Sequence, residues 1–304
     1  MKNLPNHVSI REVGPRDGLQ NEDTFIRTYD KVAWIEKLID SGTSYIEITS
    51  FVSPKWIPAL KDAKETAAKV KHKKDVTFAA LVPNRKGAEA AIEAGMDELS
   101  VFMSASETHN KRNINKTIKE TYPVLKEVIQ EGKKANKTIR SYISTSFVCP
   151  YEGKVEIDKV LSVACALLEM GVDELSIGDT VGAASPRHVD QLLSVLLKKV
   201  TTDKIAMHFH NTYGMAAANC LASLQRGIHK LDSSCGGLGG CPYAPGAAGN
   251  MATEELLYLL HQMGIQTGMR EEKIWEAAAF IERKLGRSLD SNILKVRNAG
   301  IGGI

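Results

Sequence analysis

Long hydrophobic runs are missing from this 304-residue sequence. Nothing in it approaches the ~20 consecutive apolar residues of a membrane-spanning helix, which excludes a helical membrane protein. A charge excess of one sign is missing as well. Lys and Arg number 39 against 36 Asp and Glu, a net +3, without the concentrated basic face that nucleic-acid affinity requires. Cysteine is sparse: Cys149, Cys165, Cys220, Cys235 and Cys241 form no short paired framework. That excludes a disulfide-stapled scaffold and reads as reduced thiols of a cytoplasmic protein. The first strand is expected to begin near His7, and residues 1–6 are too few for a signal or transit peptide. After that strand there is no G-x-G-x-x-G nucleotide loop but G-P-R-D-G, which argues against a doubly wound open sheet.

What is present is a regular alternation. Apolar, β-branched runs at residues 8–13, 45–51, 76–82, 98–103, 139–144, 174–177, 205–208 and 230–233 read as strands. Amphipathic stretches at 29–41, 58–70, 86–94, 114–135, 155–170, 186–200 and 215–226 lie between them, and a further helix is expected over 253–263. Strand–helix alternation implies a parallel sheet, and eight units fit a closed α/β barrel, the (β/α)8 or TIM architecture. Gly42, Gly95, Gly171 and Gly227 sit where each helix must end before the next strand, as left-handed cap residues. The near copies A-G-M-D-E-L-S (94–100) and M-G-V-D-E-L-S (170–176) use one helix-to-strand joint twice. The expectation is a single catalytic domain over residues 1–304. The barrel occupies about 7–263 and extra C-terminal helices about 264–304, with one helix over 271–284 and a mobile tail after Arg297.

In such barrels the active site lies at the C-terminal ends of the strands, and polar residues crowd those positions here. Arg16-Asp17-Gly18 follow strand one, Glu47 lies in strand two, and Gly178-Asp179-Thr180 end strand six. His208 and His210 on strand seven alternate, so both rings share a face. A lone H-x-H is weak, but strands one, seven and eight are neighbours in a closed barrel, which brings Asp17 to the two imidazoles. Imidazole, carboxylate and amide donors suit Mg²⁺ or Mn²⁺. The loop after strand eight, G-G-L-G-G-C-P-Y, has four glycines in the five residues before Cys241. Such a loop can approach a ligand closely, and it places a thiol for proton transfer. In the functional reading, Arg16 stabilises an enolate oxygen with its planar fork.

Several segments together carry a family resemblance. V-G-P-R-D-G-L-Q-N-E (13–22), T-S-F-V-S-P-K-W (49–56), C-P-Y-E-G-K (149–154), G-D-T-V-G (178–182), H-F-H-N-T-Y-G (208–214) and G-G-L-G-G-C-P-Y-A-P-G-A-A-G-N (236–250) resemble 3-hydroxy-3-methylglutaryl-CoA lyases. The resemblance implies a divalent-metal-dependent carbon–carbon lyase that cleaves the acyl-CoA to acetyl-CoA and acetoacetate, in leucine degradation or ketone-body chemistry. It implies metal ligation by Asp17, His208, His210 and Asn250, and catalytic roles for Arg16, Asp17, His208 and Cys241. Arg16, Gln20, Glu47, Arg140, Tyr142, Ser176, Asp179 and Thr180 match positions around the substrate, and a homodimer or higher homo-oligomer is expected. Phe209 departs from the cysteine that animal members carry between the histidines, and no cysteine follows Cys241.

Retro-aldol-type cleavage needs the tertiary hydroxyl deprotonated and a thioester enolate protonated. The sequence leaves open whether Asp17, His208 or a metal-bound water takes the hydroxyl proton. Two other readings compete. A Claisen-type synthase would carry a separate C-terminal domain, and a non-catalytic metal- or CoA-binding barrel would have shed some of the set Arg16, Asp17, His208, His210, Cys241 and Asn250.

Overall fold

Strand β1 (Ser9–Glu12) pairs in parallel with β2 (Tyr45–Ser50) on one side and with β8 (Lys230–Ser233) on the other, and this double pairing closes the sheet. Between them run β3 (Thr77–Leu81), β4 (Glu98–Ser104), β5 (Thr138–Ser144), β6 (Glu174–Asp179) and β7 (Ile205–Phe209), each parallel to its neighbours. The computed structural model describes residues 4–240 and 249–300. The chain forms the expected TIM barrel with flanking helices.

Period-two alternation divides each strand between two environments. Ile46 and Ile48, Phe78 and Ala80, Leu99 and Val101, Leu175 and Ile177 are fully buried in the apolar layer between sheet and helices. Burying each large side chain there contributes roughly 1.5–3 kcal/mol. The alternate residues face one another inside the barrel, and many of them are charged or polar. Tyr45 donates to Glu98 at 2.7 Å, and Glu174 accepts from Arg11 at 2.8 Å, Arg140 at 2.8 Å and Lys230 at 2.7 Å.

The eight-fold alternation holds, with differences in the helices. Gly42, Gly95, Gly171 and Gly227 have φ of 96°, 80°, 104° and 82°, the left-handed caps expected. The single helix expected over 58–70 is a 3-10 turn (Pro58–Leu60) followed by α2 (Ala63–Lys69), and α1 (Thr28–Asp40) precedes them. The helix expected over 114–135 is α5 (Ile118–Lys134), which starts four residues later; ahead of it, after α3 (Arg85–Glu93), stands α4 (Glu107–Ile114), which was not expected. Asn115 turns left-handed at φ 55° and ends α4. Thr117 and Glu120 then form a capping box that starts α5 afresh. Apolar periodicity does not register α4, which is almost wholly polar.

Helices α6 (Ile157–Glu169), α7 (Pro186–Leu196), α8 (Ala216–Gln225) and α9 (Thr253–Gln262) complete the outer ring. Beyond them α10 (Glu271–Leu285) packs on α1, and α11 (Asn292–Asn298) extends past Arg297, where a tail was expected. Residues 301–304 lie outside the described ones. Among the described residues no helix is long and apolar enough to cross a membrane.

Candidate metal centre

The turn after β1 is a π-helical turn, Gly14–Gly18, with Pro15 in its first positions. The carbonyl of Val13 accepts from the N–H groups of Arg16, Asp17 and Gly18 at 3.1, 2.7 and 3.3 Å. Such widened turns recur at functional sites, and this one carries Arg16 and Asp17. Below it the carboxylate of Glu12 ties two segments together. Its Oε1 accepts from the backbone N–H of Gly14 (2.8 Å) and of Cys235 (2.9 Å), and Oε2 from Thr253 (2.6 Å). Burial pushes the Glu12 carboxyl up to about 7 against these three donors. The turn after β1 and the glycine-rich loop after β8 thus share one foundation.

Donor atoms of Asp17, His208 and His210 all lie within 4.8 Å of one another. The rings come from alternate positions on β7, and Asp17 from the π-helical turn on the other side of β8. His210 is buried, and its Nδ1 has no partner among the described residues. Burial, with the neighbouring His208 and Arg16 charges, lowers His210 to about 4, so its ring is a neutral donor at physiological pH. Although burial alone would raise Asp17, the adjacent Arg16 guanidinium and the two histidines hold it at about 2. Two nitrogens and one hard, ionised oxygen fit a divalent cation such as Mg²⁺ or Mn²⁺.

Asn250 reaches the cluster through its amide nitrogen, which donates to Asp17 Oδ2 at 2.8 Å and to the Leu238 carbonyl at 2.9 Å. Gly239 makes room for it. At φ +100° its position favours glycine, and an added Cβ would lie 2.4 Å from Asn250 Nδ2.

Behind the donors stands a hydrogen-bonded chain. Arg16 donates to Asp17 through Nη1 and to Glu47 through Nε, both at 2.5 Å. Gln20 braces the same pair, at 3.3 Å from Asp17 and 3.5 Å from Arg16. Tyr142 donates to Glu47 at 2.8 Å and accepts from Arg140 at 3.0 Å. Arg140 in turn donates to Asp232 at 2.5 Å, and Asp232 accepts from Ser176 at 2.8 Å and lies 3.1 Å from His208 Nδ1. The expected residues Asp17, His208, His210, Asn250, Arg16, Gln20, Glu47 and Tyr142 are therefore gathered at one end of the barrel, with Arg140 and Ser176 a layer deeper. Asp179 and Thr180 turn to backbone. Asp179 accepts from the N–H groups of Ala183 (3.2 Å) and Ala184 (3.0 Å), and Thr180 from that of Thr145 (2.8 Å). Burial raises Asp179 to about 6 even so. Cys241 lies outside the described residues.

Sequence reasoning missed Asp232 and Glu12. For Asp232 a signal existed, since it is the register partner of His208 on the neighbouring strand and hence shares its inward face. Glu12 points outward from β1 toward the layer between sheet and helices, where a carboxylate is not expected; only the fold shows that Gly14, Cys235 and Thr253 supply its donors.

Three comparisons bear on this arrangement. Residues 7–281 match the profile of the HMGL-like family. A hydroxymethylglutaryl-CoA lyase of Bacillus subtilis is 54% identical over 292 residues, covering 96% of this chain and 98% of its own. The crystal structure of the Bacillus subtilis HMG-CoA lyase superposes with a TM-score of 0.96 at 54% identity, covering 97% of this chain and 99% of that one. An HMG-CoA lyase from Acinetobacter baumannii, solved with coenzyme A and 3-methylmalate, superposes with a TM-score of 0.91 at 36% identity, covering 95% of each chain.

Proposed function

The chain belongs to the HMGL-like family, and from that premise we propose that it is a hydroxymethylglutaryl-CoA lyase cleaving 3-hydroxy-3-methylglutaryl-CoA to acetyl-CoA and acetoacetate. The observation that carries the reading is the convergence of Asp17, His208 and His210 at the barrel mouth, in a chain 54% identical to a lyase of that name. The bond broken joins the tertiary carbinol carbon to the methylene of the thioester. The carbinol gives up its hydroxyl proton to a basic group of the cluster and becomes the ketone of acetoacetate. The methylene, left as a thioester enolate with the electron pair of the broken bond, takes a proton to become acetyl-CoA.

A divalent cation held by Asp17, His208 and His210, with the Asn250 amide beside them, would supply Lewis acidity toward the substrate hydroxyl and carboxylate. The protein's own groups do the rest. His208 presents Nε2 to the cluster because Nδ1 is occupied by Asp232. Arg16 is fixed by Glu47 and Asp17 through Nε and Nη1, while its Nη2 has no partner among the described residues. That amino group offsets the enolate charge as it develops. Glu47 and Tyr142 hold the guanidinium in place, Asp179 and Thr180 shape the wall after β6, and Cys241 delivers the proton from its glycine-rich loop. The setting is cytoplasmic and the assembly a homo-oligomer.

The test is a coupled assay of acetoacetate release after chelation and after Mg²⁺ or Mn²⁺ is returned. Activity lost on chelation and restored by either cation is expected. Cleavage indifferent to chelation would sink the metal-centred mechanism, and absence of cleavage with full metal loading would sink the substrate. In Cys241→Ala, turnover should drop about 10²–10⁴-fold with cation affinity intact.

A further inference from the structure

We infer that Asp232 is a positioning residue for His208, fixing the ring's orientation and its tautomer so that Nε2 is the nitrogen offered at the metal centre. The inference rests on the metal-centred reading above and extends it to a residue one strand away. Asp232 is the register partner of His208 across the β7–β8 pair, 2% exposed, with Oδ2 at 3.1 Å from His208 Nδ1. The carboxylate is itself held on both sides. Arg140 donates to Oδ1 at 2.5 Å, and the Ser176 hydroxyl donates to Oδ2 at 2.8 Å.

A carboxylate clasped by a guanidinium can only accept from the ring, so Nδ1 is the nitrogen that carries the hydrogen. That leaves a lone pair on Nε2, which faces Asp17 Oδ2 at 3.9 Å. Two acceptors facing each other repel unless a cation lies between them. The tautomer set by Asp232 therefore turns the Asp17–His208 gap into a cation site, where the opposite tautomer would close it with a hydrogen bond. Carboxylate partners of this kind orient metal-binding histidines and raise their basicity.

Arg140 links this arm to the other one. Through Tyr142 and Glu47 it reaches Arg16, which holds Asp17. One buried guanidinium thus braces both donors from behind.

The experiment is Asp232→Asn. Mn²⁺ affinity by calorimetry should fall about 10–100-fold. Nitrogen-15 spectra of the metal-free protein, with the His208 signals identified by their loss in His208→Gln, should show His208 losing its preference for Nδ1–H. Should Asp232→Asn fail to fold, Arg140→Gln combined with Asp232→Asn removes both buried charges and carries the same expectation. The wild-type spectrum, which needs no folded variant, should show Nδ1–H in the neutral ring. Unchanged Mn²⁺ affinity in the folded variant, or a wild-type ring in the Nε2–H form, would overturn the inference. A wild-type protein that binds no Mn²⁺ strikes the metal reading instead, and the tautomer measurement still decides the role of Asp232.

Discussion

Arg16 and Arg140 are both buried and lie over the same ring, each with its guanidinium carbon 4.9 Å from the centre of Tyr142. Their partners differ. Arg140 is 0% exposed, and each of its three nitrogens donates to protein: Nε to Glu174, Nη1 to Tyr142, Nη2 to Asp232. Arg16 has two nitrogens engaged, and the third has no partner among the described residues. Around Arg140 the carboxylates are likewise satisfied, Glu174 meeting Arg11, Arg140 and Lys230. Around Arg16, Glu47 keeps a buried Oε1 and His210 a buried Nδ1 without partners among the described residues. At one end of the barrel interior the carboxylates are fully paired, with Arg11 Nε the one lattice atom among these lacking a partner among the described residues, and the other end keeps unspent capacity on a carboxylate and an imidazole. A buried guanidinium is architecture or chemistry according to whether its fork is fully subscribed.

The largest effect should come from Arg140→Met. It leaves Asp232 and Glu174 buried with one cation fewer, which costs about 3–5 kcal/mol when one partner of a buried pair is removed. Urea denaturation reads this, and a loss under about 1 kcal/mol would show the lattice to be ornamental. Arg16→Lys should do the reverse. Turnover should fall about 10²–10³-fold, since lysine keeps the charge but loses the fork, with the Michaelis constant and unfolding midpoint little moved. Equal losses in turnover and stability would erase the distinction between the two arginines.

A smaller effect is expected with pH at the lattice end. Burial and the Glu174 charge raise Glu98 from 4.5 to about 7. The folded state then keeps a proton that the unfolded chain releases between those values, so this group's contribution to stability is full below about pH 4.5 and is lost as pH rises through 7. The slope is at most about 1.4 kcal/mol per pH unit. Glu174, held below the ordinary range by Arg140, Arg11 and Lys230 against its own burial, works in the opposite sense: its contribution is full above about pH 4.5 and is lost as pH falls below that value. Glu98→Gln should reduce, without abolishing, the fall in melting temperature between pH 5 and 7, since Glu12 and Asp179 keep their shares; an unchanged slope would assign the whole of it to other groups.

The outward half of each strand was legible in the sequence, because Ile46, Leu99 and Ile177 recur with a period that only a helix-covered sheet explains. The mouth was legible too, because Asp17 follows strand one and His208 lies near the end of strand seven, two strands that closure brings close, while Asn250 came from the family resemblance. The inner lattice was not. Arg11, Glu98, Glu174 and Lys230 look like surface charges in a one-dimensional reading, and their burial follows from closure of the sheet. Asp232 was hidden for the same reason. Helix α4 was not legible either, because its eight residues carry a single apolar side chain, Ile114, and so show no apolar period.

The hydrogen bond from Asn250 to Asp17 joins positions 233 apart in the chain, and its consequence concerns time. During synthesis Arg16 and Asp17 emerge with the first strand, but both imidazoles wait for the seventh and the amide for the segment after the eighth. Every fragment that stops short of Asn250 lacks part of the constellation. Contacts so distant form only after the entropy of closing a long loop has been overcome. The proposed cation site is therefore complete only in the closed barrel, once the eighth strand has paired with the first.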